Sequence, residues 1–322
     1  MSFTDHNVVV VTPVFEDVEA STRLFRELAA QFGDQLFVVA VDDGSVRQPV
    51  VPDSIEQAGV SGVVLRLRRN VGHQRAIGIG LSWTAERLTE SQRVIVMDSD
   101  GEDLPETIPD LLTALQPDDV DVVVARRRSR VETLKFKAFY VVYKWLFGAL
   151  TGRKISFGNF MALKPRSVRR LVAMQETATH VAASVLASRL RTTVLPLDRG
   201  PRYAGQSKMN FVGLALHGLR ALMVFAEDVL VRVGLFCVIV AGITVASAVV
   251  AVVLKLVDMA SPGWFSTVQG ILFIMLLQTG TLTLITLMLT GVVRSGSVVS
   301  QISYRDFVEV ELPTKDPHGS QL

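Results

Sequence analysis

Apolar residues in the first two thirds of this chain fall into two kinds of block. Short unbroken runs, in "NVVVVTPVF", "QLFVVAVDDG", "GVVLRLRR", Val94–Met97 and "VDVVVA", read as buried strands. Between them, Val18–Phe32, Gly72–Leu88 and Pro105–Leu115 repeat apolar positions at three- and four-residue steps and predict helices. Strand and helix alternate, so the fold class expected is α/β, a mostly parallel, Rossmann-like sheet wound on both sides. Ligands of such sheets bind beyond the carboxyl ends of the strands. Three polar motifs sit there: "TPVFED", "VDDGS" and "MDSDGED".

The pattern changes after residue 208. Val233 to Leu254 carries no charge and is flanked by Arg232 and Lys255; a second uncharged run extends from Trp264 to Val293 and stops at Arg294. About 22 residues suffice to cross a hydrocarbon core about 30 Å thick, so the two runs predict a transmembrane hairpin. Basic residues crowd before the first run, and Arg294 and Arg305 follow the second, while the connector offers Lys255 against Asp258. The positive-inside tendency puts both ends in the cytoplasm. The expected division is a cytoplasmic α/β domain over 1–208, a juxtamembrane amphipathic helix over 209–228, the hairpin over 229–294, and a cytoplasmic tail over 295–322. Residues 131–150 place Phe136, Phe139, Tyr140, Tyr143 and Phe147 at helical steps among lysines. Such a helix suits a membrane interface and equally a protein core.

Composition adds limits. The chain has 322 residues, 49% of them apolar, and a net charge of +2. One cysteine, Cys237, excludes an intrachain disulfide and a cysteine-based metal cluster. "MSFTDHNVVVVTP" lacks a basic start followed by a long apolar core, so the α/β domain is expected to stay in the cytoplasm at the inner membrane. Basic runs at Arg66–Arg69, Arg126–Arg128 and Arg199–Lys208 suit anionic ligands or a membrane surface. No nucleic-acid partner is expected.

The acids at the end of the fourth strand carry the chemistry. Asp98 and Asp100 are two residues apart, so on extended chain both face one ligand. Mg²⁺ or Mn²⁺ is the usual solution for such a pair, held by carboxylates plus phosphate oxygens. Asp103, just before Leu104-Pro105, fits a helix cap, and both roles can coexist. Asp42 and Asp43 repeat the arrangement one unit earlier; they suit a nucleobase or ribose, or an Asp-Gly turn without a ligand.

"VVVVTPVFED", "VAVDDGS", "RNVGHQRAIGIGL", "VMDSDGEDLPE" and "RYAGQSK" occur in the order and spacing of family 2 glycosyltransferases, and with two C-terminal spans the chain resembles their polyprenyl-phosphate branch. The resemblance implies a GT-A fold and inverting transfer from a nucleotide-sugar to a polyprenyl phosphate, with a UDP-sugar favoured over a GDP-sugar. It implies donor contacts from Pro13, Phe15, Glu16, Asp42, Asp43, Gly72, Arg75 and Ser207. Asp98 and Asp100 would hold the metal, with Glu102 as its third contact where relatives often have Gln. Arg126, Arg130, Arg202 and Lys208 would hold the phosphate groups of donor and acceptor. Asn159 stands where relatives often carry aspartate, and Glu176 and His180 lie where they place acceptor-side residues. His73 could approach the donor. The resemblance also implies a homo-oligomer. A glycolipid or polysaccharide hydroxyl acceptor, which would need a base, and a non-catalytic membrane scaffold are the competing readings.

Overall fold

The computed structural model describes residues 3–127, 134–154, 157–203, 211–257, 259, 261, 263–296 and 303–315. It divides into two units, one of residues 1–142, 154–224 and 301–322, the other of residues 143–153 and 225–300.

The first unit is built on β1 (Val8–Val14), β2 (Leu36–Asp42), β3 (Ser61–Leu67), β4 (Arg93–Val96), β5 (Val122–Arg127), β6 (Met161–Leu163), β7 (Thr192–Leu197) and β8 (Val308–Pro313). They form one sheet in the order β7-β5-β6-β4-β1-β2-β3-β8. Only β6 and β8 run antiparallel to their neighbours. This is the expected GT-A arrangement, a mostly parallel Rossmann-like sheet. β1 and β2 are buried at every position, because helices cover both faces. One face packs on α1 (Val18–Phe32), α2 (Pro52–Glu56) and α4 (Ile108–Ala114) through Leu24, Phe25, Ile55 and Leu111. The other packs on α3 (His73–Ala85), α6 (Pro165–Val172) and α7 (Val181–Ala187) through Ile77, Leu81, Leu171 and Val185.

Local departures from expectation have local causes. The helix expected from Pro105 opens as a 3-10 turn, Pro105–Thr107, and α4 begins only at Ile108. Pro109 has no N–H to give to a helix interior and is tolerated only in a first turn. The segment after the second apolar run is no simple tail: β8 pairs with β3, with a register shift at Arg66/Leu67. Tyr304 and Arg305 both bond Glu86 at 2.7 Å, which ties this return segment to the end of α3.

Helix α5 (Leu134–Thr151) runs from the first unit into the second, and α8 (Phe211–Met223) belongs to the first. The expected helix over 209–228 ends at Met223, and a separate helix starts at Ala226. Val141, Val142 and Trp145 of α5, and Leu216, Leu219 and Met223 of α8, are exposed apolar side chains. In the second unit, α9 (Ala226–Leu256) and α10 (Trp264–Gly296) are long and apolar enough to cross a membrane. They pack on each other through small residues: Cys237, Thr244 and Ala251 recur by heptads on α9, Thr279 and Thr286 on α10. Seven-residue spacing keeps these positions on one face of each helix.

Candidate active site

The parallel strands β1 to β5 and β7 end at one edge of the sheet, and antiparallel β6 begins there. That edge therefore gathers residues 13–16, 42–50, 68–73, 98–103, 157–160 and 198–203, segments distant in sequence. The loops are laced to each other. Ser99 Oγ donates to the Pro13 carbonyl at 3.1 Å, Tyr203 N–H to the Asp100 carbonyl at 2.9 Å, and Gly200 N–H to the Glu102 carbonyl at 3.0 Å.

The acidic loop after β4 is closed internally. Asp103 Oδ2 accepts the Asp98 N–H at 3.0 Å, and Asp100 Oδ1 accepts the Glu102 N–H at 3.1 Å. Asp103 thus closes the loop, whereas the expected helix cap is absent: Leu104 precedes the 3-10 turn with no side-chain cap. Gly101 sits at φ +86°, and a Cβ there would meet the Tyr203 ring at 2.7 Å. The tight turn and the approach of the β7 loop both need glycine.

Positive groups meet these acids. Arg202 Nη2 lies 2.8 Å from Asp100 Oδ2 and its Nε donates to Glu102 Oε1 at 3.0 Å; Arg199 pairs with Glu102 Oε2. His73 Nε2 lies 3.2 Å from Asp98 Oδ1. Burial pulls the His73 pKa down, but the charges of Asp98, Asp100 and Asp103 outweigh it and raise the value. Tyr203 holds the arginine loop in place: its ring lies under Arg23 at 4.3 Å and its hydroxyl donates to Glu27. Burial first, then the Glu27 carboxylate, push its pKa up.

The acids fit a hard divalent ion. Among the described residues no three His, Cys, Asp or Glu side chains converge as a complete metal cage. Mg²⁺ needs none, since one or two carboxylates with water and phosphate oxygens complete its shell. Asp98 and Asp100 are the two carboxylates expected to supply such a pair. Glu102, expected as a third ligand, has its oxygens on Arg202 and Arg199, and Arg202 bridges it to Asp100.

The family model for glycosyl transferase family 2 matches residues 9–169, half the chain. The chain belongs to glycosyl transferase family 2. Among relatives of this chain, an uncharacterized glycosyltransferase of Synechocystis sp. is 26% identical over 63% of this chain and 64% of its own. A dodecaprenyl-phosphate galacturonate synthase of Rhizobium johnstonii is 28% identical over 45% of this chain and 44% of its own. The chain thus spans less than two thirds of the length of either. Among solved structures, glucosyl-3-phosphoglycerate synthase from Mycobacterium tuberculosis, with Mn²⁺, UDP-glucose and phosphoglyceric acid, overlays with a TM-score of 0.48. It is 16% identical and covers 70% of this chain and 79% of its own. Mannosyl-3-phosphoglycerate synthase from Rubrobacter xylanophilus gives a TM-score of 0.46 at 16% identity, over 69% and 73% of the two chains.

Several residues expected to hold a donor are occupied with loop architecture. Glu16, at φ +48°, accepts the N–H groups of Val46, Arg47 and Gln48 at 2.7, 3.1 and 2.8 Å, which lower its pKa. Asp42 is fully buried, and its two oxygens accept the Ser45 and Val50 N–H groups at 2.8 and 2.9 Å. This is a loop-holding task. Asp43 accepts the Val71 and Gly72 N–H groups at 2.7 and 3.0 Å, and burial outweighs these bonds to raise its pKa. Arg75 stacks on Phe307 of the return segment at 5.5 Å. Phe15 presents its side chain, 42% exposed, beside these loops, and Arg126 is exposed at the end of β5. Arg130, Ser207 and Lys208 lie outside the described residues. The region 131–150 is described only from Leu134 onward, and 209–228 only from Phe211.

Asn159 Nδ2 lies 3.1 Å from His73 Nε2. His180 is buried at the start of α7, where its Nδ1 accepts the Ala183 N–H, and its Nε2 lies 3.1 Å from His217 Nε2 of α8. Nδ1 as acceptor leaves the proton on Nε2, so neutral His180 donates to His217. Burial, then the neighbouring His217, hold its pKa down to about 3. Glu176 lies in the 3-10 turn before α7. Arg199 and His217 escaped the sequence reading as site residues; a basic run pointed at the first, and no local signal at the second.

Proposed function

We propose that this transferase moves a sugar from a nucleoside diphosphate sugar, UDP in preference to GDP, to the phosphate of a polyprenyl lipid such as undecaprenyl phosphate. One observation carries the reading. The edge that holds Asp98 and Asp100 also holds Arg202, 2.8 Å from Asp100, in a chain that continues into two bilayer-length apolar helices. An acid pair suits a metal diphosphate, a guanidinium suits phosphate, and the spans suit an acceptor that lives in a membrane. The relative named for dodecaprenyl-phosphate galacturonate supports a lipid-phosphate product.

The reaction is one in-line displacement. An acceptor phosphate oxygen bonds to C1 of the sugar, the C1–O bond to the diphosphate breaks, and its electron pair leaves with the nucleoside diphosphate. The phosphate nucleophile is already ionised, so no base is required, in keeping with an amide at Asn159. Asp98 and Asp100 would hold Mg²⁺ or Mn²⁺, which when bound neutralises the leaving diphosphate. Arg202 and Arg126, with Arg130, Ser207 and Lys208, are assigned to the phosphate groups of the two substrates. Phe15 is assigned to the face of the nucleobase.

The setting is a cytoplasmic membrane face. Residues before and after the two apolar helices share the β3–β8 pairing, so both lie on one side of any bilayer the helices cross. The exposed apolar side chains of α5 and α8 suit the interface.

The test is transfer by detergent-purified protein from UDP-glucose, UDP-galacturonate and GDP-mannose to undecaprenyl phosphate, with Mn²⁺ or EDTA. Lipid-extractable sugar that requires Mn²⁺ and is lost in Asp100→Asn is the expected result. Labelling of glycolipid or polysaccharide acceptors instead would favour a hydroxyl acceptor. Full turnover in EDTA would remove the metal from the scheme.

A further inference from the structure

We infer that Arg202 couples the divalent ion to the nucleotide: its guanidinium and the ion are alternative partners of Asp100, and the donor's diphosphate draws the guanidinium away. This rests on the metal-dependent reading above and adds to it an exchange of partners at one carboxylate.

The two loops that meet here are fixed to each other by main chain. The Tyr203 N–H donates to the Asp100 carbonyl at 2.9 Å and the Gly200 N–H to the Glu102 carbonyl at 3.0 Å. Tyr203 also lies under Arg23 at 4.3 Å and donates its hydroxyl to Glu27. The backbone is therefore held on both sides of Arg202, and any change of partner falls to its side chain alone.

Both oxygens of Asp100 are engaged. Oδ1 accepts the Glu102 N–H at 3.1 Å, and Oδ2 lies 2.8 Å from Arg202 Nη2. Of these two partners only Arg202 can be exchanged without opening the loop. A divalent ion and a guanidinium on one carboxylate oxygen repel each other, so the ion takes Asp100 at the expense of Arg202. The contact is partly shielded, with the two side chains 27% and 19% exposed, so displacing it costs more than breaking a surface pair.

The guanidinium has somewhere to go, and Glu102 can release it. Phosphate oxygens accept a guanidinium in the same two-point geometry as carboxylates do. Arg202 Nε donates to Glu102 Oε1 at 3.0 Å, while Arg199 pairs with Oε2. When Arg202 leaves, Arg199 still compensates the Glu102 charge. A diphosphate that takes Arg202 thus frees Asp100 for the ion, and by reciprocity the ion strengthens nucleotide binding by the same factor.

The experiment measures Mn²⁺ affinity of the full chain in detergent, with and without UDP, from the paramagnetic resonance signal of free Mn²⁺. Arg202→Gln and Arg202→Met both remove the charge and keep part of the stem. Arg199→Gln removes an equal charge that pairs with Glu102. Without UDP, the expected result is roughly tenfold tighter Mn²⁺ binding in both Arg202 variants, against less than about threefold in Arg199→Gln. The factor by which UDP strengthens Mn²⁺ binding should fall roughly tenfold in the Arg202 variants. A merely structural arginine would weaken ion binding when removed, so the sign of the change is the readout. Unchanged or weaker Mn²⁺ binding without UDP in the Arg202 variants overturns the inference. An equal gain in Arg199→Gln also overturns it, because the effect would then be charge acting through space. Failure of the unaltered chain to bind Mn²⁺ with UDP overturns the metal-dependent reading itself, and the inference with it.

Discussion

Two clusters of acid and arginine sit at opposite edges of the same sheet and behave differently. At the edge where β5 and β7 begin, Asp121 takes Nε, Nη2 and the backbone N–H of Arg191, plus Nη2 of Arg166. Both arginines also bond the Asp118 carbonyl. At the other edge, Asp100 and Glu102 meet Arg202 and Arg199 from a single loop, beside a cleft lined by Asn159, Asp103 and Phe160. The chemistry is the same. The difference is closure: both Asp121 oxygens are held by two arginines and a main-chain N–H, while Asp100 takes one main-chain N–H, that of Glu102, and the side chain of Arg202. The two clusters therefore differ in degree: four bonds from two arginines close on Asp121, against one guanidinium on Asp100.

The contrast breaks most sharply under paired substitution. Asp98→Asn with Asp100→Asn is expected to cut sugar transfer roughly a thousandfold or more, about 4 kcal/mol of barrier, with melting little changed. If melting falls and transfer per folded molecule does not, the two clusters have been assigned the wrong way round. Asp121→Ala is expected to do the opposite. Stability falls by about 2 kcal/mol in denaturant titration, a figure kept modest because both arginines are half exposed, while transfer per folded molecule is retained.

Acid should separate the regions again. The His180 pKa falls from 6.5 to about 3, so the unfolded chain binds the extra proton and stability drops as pH falls below 6.5. At pH 5 the loss is about 2 kcal/mol, and His180→Asn should flatten that slope. Besides His217, the charged groups acting on His180 are Arg220 and His73. Asp121, with its pKa lowered chiefly by its bonds to Arg191, keeps its contribution until pH falls below the ordinary 3.8. Loss of the Asp121 cluster first, seen as an early melt insensitive to His180→Asn, would sink this ordering. The smallest effect is expected at Tyr304→Phe. Its Glu86 partner is 41% exposed, so about 0.5 kcal/mol or less should be lost in the same titration.

How much of this was legible depends on the range over which each residue acts. The Val-rich runs that became β1, β2 and β4 needed only their neighbours, because strands buried on both faces have no other composition. β8 was legible and missed. Val308, Val310 and Leu312 alternate with Glu309 and Glu311, a period-two pattern overshadowed by the spans before it. Asp103 looked like a cap because it precedes a proline, yet the nearer N–H was that of Asp98. Glu16 was expected as a donor contact from the family resemblance, and Asp42 from its place at the end of a strand. Their oxygens went to loop N–H groups that no spacing rule announces.

The sequence by itself determined the alternation of strand and helix, the two bilayer-length runs, the family, and the acids at the end of β4. Each follows from local periodicity or from adjacent residues. Only the tertiary structure decided that Asp42, Asp43, Glu16 and Asp103 hold loops, that Arg202 reaches Asp100, and that His73 meets Asp98 while His217 meets His180. Those pairings join segments far apart in the chain, and their geometry exists only once the parallel strands have brought their ends to a common edge.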